Sequence, residues 1–238
     1  MKQKISQLMF KKYIDTTYRL PDYNPDADFD WIKYQSGLPW LCLNIDIPYQ
    51  QILKEIQSIQ SLLVDHRDSY GEHLGWKSFC IHGKNFDATE EDLSDTRPYI
   101  WTPEAKQHMP ETIKYFCTRW PQTMFARLRV MLLEPGGYIS IHSDADQSIL
   151  TAINIAITQP VDCNFVMEKH GTVPFTTGSA FWLDISHRHT VFNNSDQPRW
   201  HLIVHQPVEG TDFQKLVVNS YQSLYNKHNE TMHHTNPG

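Results

Sequence analysis

The pattern of apolar and polar positions changes near residue 120. Beyond that point apolar side chains alternate with polar ones in short runs, the period expected of half-buried strands. Ala126–Leu133 (ARLRVMLL) alternates, Pro135-Gly136-Gly137 reads as a turn, and Tyr138–His142 resumes the strand. Ile149–Thr158 is rich in β-branched residues, and further short strands are expected at Asn164–Glu168, Thr172–Phe175, Ser179–Asp184, His189–Phe192 and Arg199–His205. His170-Gly171, Thr177-Gly178 and the polar stretch Asn193–Pro198 separate them. Short strands at such regular spacing predict a mainly β fold with flanking helices, a double-stranded β-helix or jelly roll of the cupin-like kind. Before residue 120 the pattern is mostly helix and loop. Tyr49–Val64 places Ile52, Leu53, Ile56, Ile59, Leu62 and Leu63 at helical spacing behind Pro48, and Pro103–Arg119 reads as a second helix closed by Trp120 and Pro121. Trp76–His82 (WKSFCIH) between them reads as a strand, and Phe213–Asn226 as a closing helix with Phe213, Val217, Tyr221 and Leu224 on one face. The expected organisation is a single domain: an N-terminal part over 1–120, a β core over 121–208, and a helix with a frayed tail over 209–238.

Composition narrows the function classes. With 238 residues, 40 % of them apolar and 20 % charged, the chain has the balance of a globular domain. A net charge of -6 argues against nucleic acid and anionic lipid as partners. Cys42, Cys80, Cys117 and Cys163 form no CxxC pair, which argues against a cysteine zinc site and a disulfide framework and makes a reducing cytoplasm the expectation. No apolar run reaches the length of a membrane span, and the first residues do not read as a secretory signal. Histidine is abundant, at 13 copies, of which His228, His233 and His234 lie in the polar tail.

Candidate chemistry centres on the segment GGYISIHSDAD. His142 and Asp144, at i and i+2 on a strand, project to one face and can take adjacent positions on one metal. A second His-x-Asp, His66-Arg67-Asp68, stands at the end of the first predicted helix, where helical geometry points the two side chains apart, and is set aside as accidental. A further histidine from a distant strand would complete a facial triad, leaving open positions as non-haem Fe(II) requires. His187 and His189 both offer themselves. Ten residues beyond His189, Arg199 opens the next strand, where its planar guanidinium suits the far carboxylate of a metal-chelating dicarboxylate such as 2-oxoglutarate. That interval favours His189 as ligand and leaves His187 as a neighbour. His201 shares the face of Arg199 and is expected either to line the pocket or to be a hydrogen-bonded core residue. Phe181, Trp182 and Leu183 read as core, Met124 and Met131 as packing, Tyr138 as a residue able to face substrate, and His170 as a loop residue.

The stretches RLRVMLLEPGGYISIHSD, INIAIT and GSAFWLDISHRHTVFNNSDQPRWHL, spanning Arg127 to His205, resemble the aspartyl/asparaginyl β-hydroxylase superfamily, including the bacterial proline cis-hydroxylases. The resemblance implies an oxygenase that uses Fe(II), 2-oxoglutarate and O2 on a small-molecule or peptide substrate, an amino acid first among them. It implies His142, Asp144 and His189 as metal ligands and Arg199 as the cosubstrate's anchor. Where relatives often carry Arg-Leu-His, this chain has Ala152-Ile153-Asn154, so Asn154 is the candidate for that contact with 2-oxoglutarate. The intact Asp144 argues for hydroxylation over halogenation. Two other readings use the same residues: a cupin-type metalloprotein that takes no keto acid, and a binding module without catalysis.

Overall fold

The computed structural model describes residues 2–66, 73–89, 95–145, 151–207 and 210–234. In chain order the elements are α1 (Lys2–Ile14), α2 (Phe29–Tyr34), β1 (Trp40–Leu43), α3 (Tyr49–Ile56) continuing as a 3-10 segment (Gln57–Leu62), β2 (Val64–Asp65), β3 (His73–Gly83), β4 (Ile100–Trp101), α4 (Pro103–His108), α5 (Pro110–Thr118), β5 (Arg127–His142), β6 (Ala152–Ala156), β7 (Cys163–Met167), β8 (Gly171–Thr172), β9 (Ala180–Leu183), β10 (His189–Asn193), β11 (Arg199–His205) and α6 (Thr211–His234).

The strands form one antiparallel sheet in the order β1-β9-β6-β11-β5-β10-β7-β8, and β5 organises it. One edge of β5 pairs with β3 along both of its halves. The other edge pairs first with β11, over Arg127–Leu133, and then with β10, over Tyr138–His142. The two arms of the sheet therefore diverge from a single strand and curl over each other, giving the expected jelly roll. Asn193 sits fully buried where they part; its amide donates to the carbonyls of Leu133 (3.1 Å) and Gln197 (2.7 Å). Pro135-Gly136-Gly137, expected as a turn, is instead a bend within β5. Gly136 takes the left-handed region (φ 74°), and a Cβ on Gly137 would stand 2.8 Å from the carbonyl oxygens of both Glu134 and Leu74. β3 shifts register at the same place, between Leu74 and Trp76, so the two strands bend together. Gly137→Ala should cost about 3 kcal/mol through this backbone overlap, read as a lower urea midpoint with the slope unchanged.

Strand alternation sorts the side chains into two layers. Leu128, Val130 and Leu132 of β5, Ile153 and Ile155 of β6, Trp182 of β9 and Trp200, Leu202 and Val204 of β11 turn outward. They pack against Phe29, Ile32, Ile52, Ile56, Phe116 and Phe213 from the helices and the segments beside them. The intervening residues turn inward between the two arms, where Phe165, Phe175, Phe181, Leu183 and Val191 form a second cluster. Phe181, Trp182 and Leu183 are core, as expected. Tyr138 packs under α1 with Phe10, Val166 and Phe192 rather than facing substrate.

Several expected elements differ. The helix over Pro103–Arg119 divides at Met109 (φ -131°, ψ 45°), because Pro110 disfavours helical geometry in the residue before it. The buried Glu55 then caps α5, accepting from the N–H groups of Glu111 and Thr112 (2.8 Å each) and from the Thr112 hydroxyl (2.6 Å). The helix from Tyr49 tightens to 3-10 after Ile56, where the Ser58 hydroxyl bonds back to the Glu55 carbonyl. β8 stops at Thr172, short of Phe175, as Pro174 has no N–H for a ladder. α6 continues to His234, past the expected end at Asn226. Met124 is 61 % exposed, so it is not a packing residue; it lies in the loop ahead of β5. Residue 120 is no seam either, since β1 and β3 belong to the same sheet as the later strands. No described helix is long and apolar enough to cross a membrane, and all four cysteines are free.

Candidate metal centre

β5 and β10 deliver two histidines to one point. His142, the last residue of β5, lies directly opposite His189, the first of β10, with ring centroids 4.3 Å apart. Asp144 follows just beyond the strand, where its N–H donates to the Ile185 carbonyl (2.9 Å). Its Oδ2 stands 3.4 Å from His142 Nε2 and 3.6 Å from His189 Nε2, and one donor atom from each of the three lies within 4.8 Å of the others. His187 precedes β10 and turns instead to Asp184, with Nε2 3.3 Å from its Oδ2. Its neighbour His170, 4.3 Å away ring to ring, is not among the residues lining the cavity described below.

The hydrogen bonds fix how these donors are presented. His142 Nδ1 donates to the Ser140 carbonyl (2.7 Å) and His189 Nδ1 to the His187 carbonyl (2.8 Å). A carbonyl oxygen only accepts, so each ring carries its proton on Nδ1, and in the neutral ring the lone pair is on Nε2, toward Asp144. His189 is further clamped by parallel stacking on Phe165, 5.0 Å between centroids. Burial pushes the Asp144 carboxyl up, but where the two imidazoles are protonated on both nitrogens their hydrogen-bond and charge interactions outweigh it and hold the group well below the usual carboxylate range. Two imidazole lone pairs and a carboxylate converging on one point are the donor set that suits non-haem Fe(II).

The triad opens into a cavity of about 380 Å³ between the two arms, a size that suits small ligands. Arg199 lies in its wall, 4 % exposed, and burial pulls its pKa down to about 10, so it stays charged at neutral pH. Its Nη2 donates to His201 Nδ1 (2.9 Å), and its buried Nε has no hydrogen-bond partner among the described residues. No carboxylate among those residues lies within ion-pairing distance of it. A buried guanidinium without a counter-charge is costly, so an anion in the cavity answers an existing need. Asn154 and His201 line the same cavity. His201 is also fully buried and hydrogen-bonded through Nε2 to Gln159.

The sequence reading missed the other wall of the cavity. Trp76, Arg127, Arg129 and His205 line it, as does His66, whose Nδ1 lies 2.9 Å from the Ser78 hydroxyl. His66 had been set aside with Arg67 and Asp68, which fall outside the described residues. The signal was available. Arg127 and Arg129 alternate with Leu128 and Val130, and His201 and His205 alternate with Leu202 and Val204, so charged or polar residues occupy the inward face of strands whose outward face is apolar.

Comparison with known proteins bears on the family and the fold. The aspartyl/asparaginyl β-hydroxylase family model matches residues 46–207. No curated protein matches the chain. Among solved structures, an oxidoreductase of the 2OG-Fe(II) oxygenase family from Burkholderia pseudomallei superposes with a TM-score of 0.51 at 14 % identity, covering 83 % of this chain and 99 % of that one. A Pseudomonas putida prolyl-4-hydroxylase superposes with a TM-score of 0.44 at 12 % identity, covering 75 % and 96 %. The first of these supports the fold; the family match extends over the strands that carry the triad and Arg199. The chain belongs to the aspartyl/asparaginyl β-hydroxylase family of Fe(II)- and 2-oxoglutarate-dependent oxygenases.

Proposed function

We propose that His142, Asp144 and His189 hold the Fe(II), that Arg199 grips the distal carboxylate of 2-oxoglutarate, and that the enzyme hydroxylates an unactivated C–H bond of an amino acid, free or within a peptide. The observation that carries this reading is the buried, counter-charge-poor Arg199 in the same cavity as a converging His-Asp-His set. With 2-oxoglutarate and O2, the metal supplies the oxidising chemistry. The protein's own part is placement. The carbonyls of Ser140 and His187 hold the two imidazoles in the tautomer that presents Nε2, and Phe165 and Ile139 keep that side of the cavity dry. Arg199 fixes the cosubstrate's far end, with the Asn154 amide in the same wall.

Among the described residues, the cavity lining carries more cations than carboxylates. Asp144 is the one carboxylate among the described lining residues, against Arg127, Arg129 and Arg199. Arg129 pairs in register with Ile203, four positions along β11 from Arg199, so the two backbone positions are about 14 Å apart along the strand.

Anaerobic titration of the metal-free protein with Fe(II) and then 2-oxoglutarate tests the reading. A visible charge-transfer band should form only with both added. In Arg199→Ala its half-saturation should rise by roughly a hundredfold, the scale of losing a charge-assisted, bidentate contact. Fe(II) binding with no response to 2-oxoglutarate would sink the assignment and leave a metalloprotein that takes no keto acid.

A further inference from the structure

A chain of hydrogen bonds runs behind Arg199, and its polarity is forced from one end. The Cys163 carbonyl can only accept, so the Gln159 amide nitrogen, 2.6 Å away, donates to it. That fixes the orientation of the Gln159 amide and turns its Oε1 toward His201 Nε2, at 3.1 Å. An amide oxygen also only accepts, so His201 carries its proton on Nε2. Nδ1 is then left with a lone pair, and it is this atom that accepts from Arg199 Nη2. The tautomer of His201 follows from the backbone without any assumption about the ring itself. Burial and the adjacent guanidinium both oppose protonation of the ring. Phe175 packs edge-on against the imidazole at 4.8 Å and lies 5.8 Å from the guanidinium, closing the remaining side.

We infer that His201 is a positioning residue that aims Arg199 without neutralising it, held in its accepting tautomer by Gln159 and the Cys163 carbonyl. This rests on the reading of Arg199 as the anchor of 2-oxoglutarate. The choice of partner matters chemically. An aspartate or glutamate at this place would orient the guanidinium equally well but would spend its charge on an internal ion pair. A neutral imidazole lone pair fixes the fork and keeps the full positive charge for the incoming carboxylate. Gln159 is therefore part of the cosubstrate site although its contact is with the far side of His201.

The test uses the metal-free protein first. Nitrogen-15 NMR of protein labelled at histidine, with the His201 signals assigned by their loss in His201→Asn, should show one ring proton, on Nε2. A proton on Nδ1 would overturn the inference. Anaerobic Fe(II)/2-oxoglutarate titrations then compare variants. His201→Leu, which removes the acceptor, should raise the half-saturating 2-oxoglutarate concentration by at least about tenfold, the scale of one hydrogen bond to a charged group. His201→Asn, whose side-chain oxygen can replace Nδ1, should restore most of that loss. His201→Asp should bind 2-oxoglutarate more weakly than His201→Asn despite retaining an acceptor. Equal binding by wild type and His201→Leu would overturn the positioning role while leaving the functional reading intact. Absence of the band in wild type would overturn both.

Discussion

Asp144→Ala should lower the affinity for Fe(II) by more than about a hundredfold and abolish turnover at ordinary iron concentrations. The scale follows from what surrounds a metal: losing an outer partner of a ligand already costs roughly ten- to a hundredfold, and losing the ligand costs more. Removing this carboxylate takes away the one negative charge that His142 and His189 share among the described residues, leaving two neutral nitrogens to hold a dication. Anaerobic equilibrium dialysis against Fe(II), with 2-oxoglutarate decarboxylation measured in parallel, gives both numbers. The metal-free variant should melt within a few degrees of wild type, because the Asp144 side chain is about one-third exposed. Retention of tight iron binding by Asp144→Ala would remove the carboxylate from the ligand set and leave the two histidines alone.

The largest effect on stability should come from Trp182→Ala, at about 4 kcal/mol. Trp182 has no exposed surface, stacks on Phe29 (5.6 Å) and meets Phe213 edge-on at the same distance. It therefore joins the sheet to the segments at Phe29 and Phe213, and truncation opens a void that neither can collapse into fully. Its indole N–H is buried without an acceptor among the described residues. Trp182→Phe should for that reason cost much less, about 1 kcal/mol, since it removes an unpaired donor together with the second ring. Urea unfolding of the two variants separates the terms. A loss from Trp182→Phe as large as that from Trp182→Ala would mean that the indole finds a partner after all.

These results bear on how much the chain declares in advance. The strands after residue 125 were legible in two ways: the first half of β5 alternates, with one face on the helices and one on the interior, while β6, β9 and β10 are buried along their whole length and show as short runs rich in apolar or β-branched residues. The clustering of the candidate ligands was legible from strand positions: His142 and His189 are opposed strand residues, and Arg199 follows at the head of the next strand. What failed to show was long-range or depended on a single backbone feature. Gly136 and Gly137 look like a turn, yet they bend one strand that stays paired on both edges, which only the positions of β3, β10 and β11 can decide. Pro110 splitting a helix was readable and was overlooked. His66 stays outside the metal cluster found among the described residues, as expected, but its place in the cavity wall was not legible, because it depends on the chain being extended at Val64 and Asp65. Arg127 and Arg129 were visible as inward positions, but their importance depends on the cavity they face.

The pairing of β5 with strands far away in sequence also governs when the site comes into being. Thr190, beside His189, closes on Ile139 across 51 residues, and Asn193 on Leu133 across 60. Contacts of such long range must meet the entropy of loop closure before any of them is rewarded, so they form late and slowly. Until β10 docks, a metal ion meets at most two of the proposed ligands, His142 and Asp144, both carried by the end of β5. Iron taken up in the three-ligand mode therefore selects chains whose two arms have already closed, and its binding free energy adds directly to the stability of that closure.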